Sequence, residues 1–424
     1  MRPKSFGLGP LPGGGRVVII GGGPGGVSAA IALKQGARAL GRDLRVIVVE
    51  GKQFAGEQQH NQCAGVLSPP IVELLERGLE IPFPHHLSRG AITGYVLHAA
   101  RREIVLDGET EPSVALRRIQ FDDYMLEAAR ERGVEVMTAR VTGLEFHANR
   151  VMIYTENMPL EADVLVGAFG LDEGSAALFK QAVGYRPPPA LSSVVTKYHP
   201  GEPGMAEFGN RIHAFLPPTP RIEFGAITPK GNHLTINIAG EAVDADVMND
   251  FLTFPEVRRA LPGLENAGRF DANDLRYFKG RFPCGLARNF TGDRFVMVGD
   301  AAGLVRAFKG KGVTTAIQTG LRAARVILHE GLSARAFQTY RAANHDIISD
   351  LPYGQAMRRL TILASRLGLM DVVLRAAEGD AKLRQALFDS VSAHRPYRDV
   401  VRTGLSAASA RAVVKAMAPA RSKL

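Results

Sequence analysis

Short apolar runs near both ends of the chain lead into glycine-rich turns. The runs span residues 16–20 and 294–298, and alanine-rich helical stretches follow the turns at 27–40 and 313–330. Units of strand, turn and helix are typical of α/β proteins with a parallel sheet. A further apolar strand at 164–166 returns the chain to the same predicted sheet. The pattern therefore predicts a Rossmann-type α/β domain assembled from distant parts of the chain.

The middle of the chain has a different pattern. Between residues 191 and 240, apolar and polar positions alternate in short runs separated by proline and glycine. This alternation predicts an antiparallel sheet inserted into the α/β domain. Few of its inner positions are charged, so the sheet would form an apolar wall of a substrate pocket. From residue 334 onward the pattern is helical to the end.

The first glycine-rich turn matches the pattern G-x-G-x-x-G. In that pattern the first glycine allows a tight turn, the second lets the backbone approach a pyrophosphate, and the third lets helix and strand pack closely. Glu50 ends the next predicted strand, where its carboxylate can accept hydrogen bonds from an adenosine ribose. The residues of the turn predicted to bind a dinucleotide are Gly21, Gly23, Pro24, Gly25 and Gly26.

The second turn predicts a contact with the other end of the same cofactor. Gly299 and Asp300 end a strand, where a carboxylate could bind the hydroxyl groups of a sugar-like chain. The segment Lys309-Gly310-Lys311-Gly312 then precedes a helix predicted to begin at Val313. Glycines let the backbone approach a flat ring, and a helix N-terminus favours negative charge there. The two turns together predict FAD, since a cofactor of that length needs contacts at both ends. A second fingerprint for NAD(P)H is absent.

These patterns predict an FAD-binding domain that is built from three segments and interrupted by the inserted sheet. The predicted parts are FAD-binding residues 14–90, substrate-sheet strands at 91–114, FAD-binding residues 115–190, the antiparallel substrate domain at 191–285, FAD-binding residues 286–333 and a C-terminal helical region at 334–424.

Composition and charge narrow the classes of protein. The 424 residues are 46% hydrophobic and 22% charged, as in a soluble globular protein. No apolar run reaches the ~18 residues of a membrane span, and two cysteines suit a reducing compartment, so we expect a cytoplasmic protein. The net charge of +10 fits a basic solvated surface, an anionic cofactor or substrate, or an anionic membrane surface. No basic run interleaved with aromatic residues indicates nucleic acid.

The motifs together resemble those of FAD-dependent oxidoreductases of the p-hydroxybenzoate hydroxylase fold, and most closely the geranylgeranyl reductase family. The resemblance covers nearly the whole chain. It includes R-x-x-F-D at residues 118–122 and G-D-A-A-G at 299–303. It implies that Arg118 lies at the cofactor and that Asp300 binds the ribityl chain.

Two further segments carry the resemblance near the flavin. Residues 63–68 (C-A-G-V-L-S) resemble the family's C-G-G-x-L-S segment, and residues 282–285 resemble a strand entering the active site. The resemblance implies a catalytic or pocket-shaping role for Cys63, with a small buried hydrophobe as the equal alternative. It also implies flavin contacts at Gly65, Val66, Ala168 and Gly170.

The chain departs from the family at three places. Phe169 stands where the family's G-A-D-G motif has an aspartate, which is tied to FAD and NAD(P)H contact. The substrate motif Y-x-W-x-F-P would fall at 212–217, where only Pro217 is retained and the chain has no tryptophan at all. Arg306 and the two lysines follow the second turn. These departures leave the fold inference unchanged but weaken the inference of a geranylgeranyl substrate.

The resemblance implies reduction of C=C bonds in a prenyl-like or polyene substrate by hydride from reduced flavin. NAD(P)H or ferredoxin would be the electron donor. Lys309 and Lys311 could stabilise anionic flavin or hold a substrate carboxylate or diphosphate, or could be solvated loop lysines. The alternatives are a flavin-dependent monooxygenase on the same fold and a non-catalytic flavin-binding protein.

Two features remain open at this stage. His60, His213 and His233 are isolated and lack metal-ligand spacing, so no metal site is predicted. Residues 398–423 mix apolar with basic positions. Such a helix could lie on an anionic membrane as a peripheral contact, or could pack on the core, which we favour slightly.

Overall fold

The fold is given by a computed structural model that describes residues 7–52, 63–108, 111–263, 275–306, 312–404 and 407–417. The strands are β1 (Arg16–Ile20), β2 (Arg45–Glu50), β3 (Val66–Leu67), β4 (Ser88–Ile92), β5 (Gly94–His98), β6 (Glu103–Asp107), β7 (Ser113–Leu116), β8 (Glu135–Thr138), β9 (Val141–Phe146), β10 (Val151–Thr155), β11 (Pro159–Ala162), β12 (Val164–Gly167), β13 (Ala190–Tyr198), β14 (Arg211–Phe215), β15 (Phe224–Pro229), β16 (Leu234–Gly240), β17 (Phe278–Pro283), β18 (Thr291–Gly292) and β19 (Phe295–Met297).

The helices are α1 (Pro24–Ala39), α2 (Ile71–Glu73), α3 (Arg118–Glu131), α4 (Glu173–Val183), α5 (Gly201–Phe208), α6 (Ala245–Leu252), α7 (Pro255–Ala260), α8 (Gly312–His329), α9 (Ala336–Ala343), α10 (His345–Ile348), α11 (Leu351–Arg366), α12 (Met370–Gly379), α13 (Ala381–Ser392), α14 (Tyr397–Gly404) and α15 (Ala407–Met417).

A six-stranded sheet forms the centre of the α/β part, in the order β18-β19-β12-β1-β2-β8. All its pairs are parallel except that of β18 with β19. β1 is buried throughout its apolar positions, in a core that it shares with α1, α8 and the three-stranded sheet of β9, β10 and β11. The chain leaves β1 toward β2 on one side and reaches β12 on the other. The glycine turn after β1 therefore lies at a topological switch point, where open α/β sheets bind ligands.

Helices α1 and α8 pack closely because small residues line their contact. A Cβ added to Gly320 would lie 2.5 Å from the carbonyl oxygen of Gly25. A Cβ added to Gly299 would lie 3.0 Å from the Cβ of Ala316 on α8. The two glycine-rich turns, more than 270 residues apart along the chain, are thereby brought against the same pair of helices.

The predicted inserted sheet is present and has seven strands, in the order β17-β13-β16-β15-β14-β5-β6. Its pairs are antiparallel except that of β14 with β5, which is parallel. One face packs beneath α6 and α7 through Ile236, Ile238 and Phe251. The other face packs toward Val66 and the C-terminal helices. β7 lies instead in a three-stranded sheet with β3 and β4.

The region after residue 334 is helical, and Arg306 attaches it to the second turn. The Arg306 guanidinium donates hydrogen bonds to the carbonyl oxygens of Ala393 and Arg395. This departure from the family therefore has a structural role. The inserted sheet and the C-terminal helices share a hydrophobic cluster, the second hydrophobic cluster, which includes Leu97, Phe224 and Leu374. On α15, Ala412 and Val413 pack against it, which supports the prediction that this helix packs on the core. None of the described helices is both long and apolar enough to cross a membrane.

Candidate active site

The first glycine turn has the geometry of a pyrophosphate cradle. Gly21 has φ +108°, and a Cβ on it would lie 2.4 Å from the carbonyl oxygen of Ala168. A Cβ on Gly26 would lie 2.0 Å from the carbonyl oxygen of Gly21. Gly23 is different, because a Cβ there would meet nothing within 4 Å. Gly23 is also the N-cap of α1, where N–H groups without intrahelical partners favour an anion.

Glu50 lies beside this cradle at the end of β2. Its Oε2 accepts a hydrogen bond of 2.7 Å from the Gly22 N–H, and its Oε1 accepts one of 2.8 Å from the Lys52 N–H. An ionised carboxylate has further lone pairs that can accept hydrogen bonds from sugar hydroxyl groups. The predicted contact of Glu50 with the adenosine ribose stays a prediction.

The second turn lies against the first turn of α8. A Cβ added to Gly312 would lie 3.0 Å from Asp300 Oδ1. Burial raises the pKa of the Asp300 carboxyl, and nearby Arg118 lowers it in part. Val313, the second residue of α8, is partly buried against the main core.

Arg118 begins α3 and is held by Asp122 one helical turn later. Its Nη2 and Nε donate to Asp122 Oδ1 at 2.9 and 3.2 Å. Burial lowers the pKa of Arg118, but Asp122, Cys63 and Asp300 outweigh it, so the net pKa is raised. Residues predicted from three separate motifs thus interact at one place.

The segment from Cys63 to Ser68 lies between this group and α8. Thr314 Oγ1 donates a 3.3 Å hydrogen bond to the Ser68 carbonyl oxygen. Gly65 has φ +66°, and a Cβ on it would lie 2.1 Å from the carbonyl oxygen of Leu116. Only glycine fits there, since both the backbone conformation and the space exclude a side chain. Val66 pairs in register with Ala115 of β7.

Lys230 also lies beside the Cys63 segment, although the sequence around it does not predict this position. It follows β15, is 5% exposed, and its Nζ donates a 3.0 Å hydrogen bond to the Cys63 carbonyl oxygen. Burial, together with Lys197, Arg117 and Arg118, lowers the pKa of Lys230 to about 8. Lys230 is thus one of the few charged positions on this face of the sheet. A P-K-G-N turn between two strands gives no signal of a buried lysine.

Three residues directly follow β12, namely Ala168, Phe169 and Gly170. The Ala168 N–H donates to the Ile20 carbonyl oxygen at 2.8 Å, which joins the end of β12 to the end of β1. Gly170 has φ +61°. Phe169 stacks on Phe179 with ring centroids 5.3 Å apart. The family's aspartate is thus replaced by a side chain that packs into an aromatic cluster.

The cysteines and the lysines before α8 are the next predicted positions. Cys284 donates a 3.4 Å hydrogen bond from Sγ to the Pro189 carbonyl oxygen, and burial raises its pKa; both it and Cys63 are free thiols. Lys309, Gly310 and Lys311 lie outside the described residues.

The histidines are less isolated than their spacing in the sequence indicates. His213 Nδ1 lies 2.9 Å from His98 Nε2. Burial lowers the pKa of His213 to about 4 and that of His98 to about 3, so both rings are neutral at pH 7. His60 lies outside the described residues. In the described part of the chain, no group of three or more histidine, cysteine or acidic side chains could hold a metal ion.

Comparisons with known proteins relate this geometry to flavoenzymes. No family model matches the chain. It is 24% identical over 325 residues to a digeranylgeranylglycerophospholipid reductase of Methanococcus vannielii, covering 73% of this chain and 76% of the relative. A reductase of the same name from Methanococcus aeolicus is 24% identical over 331 residues, covering 73% and 75%.

Solved structures confirm the predicted fold. A geranylgeranyl bacteriochlorophyll reductase-like protein from Thermoplasma acidophilum has a TM-score of 0.69 at 18% identity, covering 92% of this chain and 99% of its own. A p-nitrophenol 4-monooxygenase from Pseudomonas putida has a TM-score of 0.65 at 15% identity, covering 91% and 100%. A halogenase variant in complex with FAD has a TM-score of 0.60 at 15% identity, covering 91% and 84%. The chain therefore has the fold of FAD-dependent oxidoreductases and resembles the geranylgeranyl reductases.

Proposed function

We propose that the protein reduces C=C bonds of a prenyl-like or polyene substrate held between bound FAD and the seven-stranded sheet. The observation that carries this proposal is the apolar part of the sheet face near Val66. Phe224, Ala226 and Phe282 lie there, with the Phe224 and Phe282 rings 6.1 Å apart. The names of the two Methanococcus relatives support the same reaction class.

The chain would hold FAD through the two glycine turns. The backbone around Gly23 would bind the pyrophosphate, Glu50 the ribose of the adenosine, and Asp300 the ribityl chain. The N-terminus of α8 at Gly312 would favour negative charge near the ring. Bound in its reduced state, FAD would supply the hydride, which no side chain can provide, and a donor group or water would supply the proton that completes the reduction of the C=C bond.

The remaining side chains would orient the alkene and keep water out. The apolar wall of Phe224, Ala226 and Phe282 would bury the hydrocarbon of the substrate. Cys63 is proposed to shape the pocket next to Gly65. Lys309 and Lys311 remain candidates for stabilising anionic flavin. NAD(P)H or ferredoxin remains the proposed electron donor.

Flavin reoxidation in the absence of oxygen tests the proposed reaction. Photoreduced, FAD-loaded protein is expected to be reoxidised by an unsaturated polyprenyl compound, because the alkene accepts the hydride. The fully saturated compound of equal length is the matched control and should leave the flavin reduced. The proposal fails if no unsaturated polyprenyl or polyene compound reoxidises the flavin.

Hydroxylation is the second candidate, because the fold is shared with the p-nitrophenol monooxygenase. In that case aeration of the reduced protein with an aromatic or polyene compound would yield an oxygen-containing product. Mass analysis of the product separates the two reactions.

We also propose a peripheral contact with an anionic membrane through α11 and the side of α15 that does not pack on the core. Leu360, Leu363 and Leu367 are 54%, 53% and 62% exposed and share one face of α11 and its C-terminal end. On α15, Val414 and Met417 are 67% and 57% exposed. The net charge of +10 complements anionic lipid.

Replacing Leu360, Leu363 and Leu367 together with glutamine is expected to reduce co-sedimentation with anionic vesicles severalfold. The reason is that about 25 cal/mol of binding energy is lost for each Å² of apolar surface no longer buried in lipid. Leu40→Gln, at an exposed leucine at the end of α1, is the matched control. Equal sedimentation of all three proteins would exclude α11 as the contact.

A further inference from the structure

A row of buried polar groups lies on one face of β16 and the residue before it. His233 and Thr235 are 3% and 1% exposed, and Asn237 follows at the same alternate spacing. The intervening Ile236 and Ile238 belong to the cluster on the opposite face. Successive side chains of a strand point to opposite faces, so the three polar residues share the face that packs toward Val66.

Each of these polar residues has an atom without a hydrogen-bond partner. Within the described ranges, His233 Nε2, Thr235 Oγ1 and Asn237 Oδ1 are buried and accept or donate no hydrogen bond. Each such group costs free energy when it is removed from water without a partner. Because the oxygen and nitrogen of an amide are assigned from the network, the Asn237 side chain can present either group.

Two lysines lie on the same face. Lys197 is the cross-strand neighbour of Thr235. The backbone N–H of Lys230 donates a 2.9 Å hydrogen bond to the His233 carbonyl oxygen, so Lys230 is paired with His233 across the turn. Among the described residues, no carboxylate oxygen lies within 4.0 Å of the Nζ atom of either lysine. The groups that shift the Lys230 pKa are its burial, Cys63 and the cations Lys197, Arg117 and Arg118.

A buried ammonium group next to other cations is costly unless an anion neutralises it. Lys230 uses one of its three N–H donors on the Cys63 carbonyl oxygen, which leaves two for a ligand. The Thr235 hydroxyl supplies another donor. Two positive charges with several donors suit a tetrahedral oxyanion that carries more than one negative charge. A carboxylate carries only one negative charge and suits the site less well.

The same face becomes apolar toward the other end of β16. Phe224 is the cross-strand partner of Ala239, and both belong to the second hydrophobic cluster. Six residues of strand separate His233 from Ala239, or roughly 20 Å at the usual rise per residue. The face thus presents a cationic, polar end and an apolar end, which matches a ligand with an anionic head and a hydrocarbon tail.

We propose that Lys230 and Lys197, with Thr235, His233 and Asn237, form a subsite for the phosphate group of an amphipathic substrate. This proposal rests on the proposed function, since the phosphate would bind next to Cys63 and anchor the head while the unsaturated tail lies along the apolar end of the sheet. Lys230 is a positioning residue for the substrate, and the reacting bond lies elsewhere.

Binding of a prenyl monophosphate and of the matching prenyl alcohol to the FAD-loaded protein tests the subsite. By titration calorimetry, the phosphate is expected to bind at least about tenfold more tightly than the alcohol. Lys230→Met should remove this preference, because the phosphate loses its charged partner, while the Kd of the alcohol stays the same. Thr235→Val, which removes one hydroxyl at nearly constant volume, should reduce the preference in part.

Lys279→Met is the matched control, since Lys279 is an exposed lysine of the same sheet whose partner Val194 belongs to the opposite face. It should leave both affinities unchanged. The preference should also weaken above pH 8, where Lys230 loses its proton unless the ligand is bound. Equal Kd values for phosphate and alcohol, or a preference that survives in both Lys230→Met and Thr235→Val, would overturn the subsite.

A separate arm distinguishes this proposal from the proposed function. Inorganic phosphate and pyrophosphate are titrated into the same proteins without any prenyl compound. If no alkene reoxidises the flavin but these anions bind in a Lys230-dependent manner, the reaction is wrong and the subsite stands. If alkenes reoxidise the flavin and neither anion nor prenyl phosphate depends on Lys230, the reaction stands and the subsite is wrong. Competition of inorganic phosphate with prenyl phosphate separates a free anion from a lipid head group.

Discussion

Replacing Gly23 with valine is expected to abolish FAD retention while leaving the cofactor-free fold nearly unchanged. The side chain would enter the space around the N-terminus of α1, where Gly23 has no neighbour within 4 Å of a Cβ. Because φ is −75°, valine fits the backbone there, and loss of a good N-cap costs only about 1 kcal/mol. The flavin-to-protein absorbance ratio after gel filtration measures retention, and thermal unfolding of the apoprotein measures the fold.

Gly26→Val is the contrasting variant in the same turn. Its Cβ would lie 2.0 Å from the Gly21 carbonyl oxygen, so strand and helix must separate and the apoprotein itself should be strongly destabilised. Stoichiometric FAD in the Gly23→Val protein would show that the pyrophosphate does not bind at this turn.

Arg118→Met is expected to lower the free energy of unfolding by on the order of 3 kcal/mol and to weaken FAD binding as well. The Asp122 side chain is fully buried, and it loses the charged donors that approach its Oδ1 to 2.9 and 3.2 Å. Removing one member of a buried ion pair leaves a buried charge without its counterion. Urea denaturation of the apoprotein measures the first effect, and FAD titration measures the second.

Arg117→Met is the control for this prediction, since Arg117 is exposed and adjacent in the chain. It should change the free energy of unfolding by no more than about 0.5 kcal/mol, as most surface substitutions do. If the two variants unfold at the same urea concentration, the Arg118–Asp122 pair does not hold the start of α3 in place.

The parts of the fold that the sequence predicted well depend on local chemistry. The strand before the first turn was expected at 16–20 and is Arg16–Ile20, and the helix expected at 27–40 is Pro24–Ala39. Apolar periodicity and glycine positions suffice for such units because each is specified within a few residues. The first helix begins earlier than expected because Pro24 is well placed in the first turn of a helix.

The parts that the sequence did not predict depend on pairing between distant strands. The parallel pair of β14 with β5 and the contact of His98 with His213, 115 residues later, follow from the register of the sheet. Lys230 illustrates the same limit. Its position in a turn predicts exposure, and only the approach of the Cys63 segment, 167 residues away, buries it.

The product formed by photoreduced, FAD-loaded protein from an unsaturated prenyl phosphate is the most direct measurement of the central claim. One sample of reduced protein and substrate is divided between an anaerobic and an aerated vessel, and the products are identified by mass spectrometry. Our account predicts a product with a pair of hydrogens added to a C=C bond, formed without oxygen and in an amount equal to the flavin oxidised. A hydroxylated product that forms only in the aerated vessel, with unchanged substrate in the anaerobic one, would contradict it.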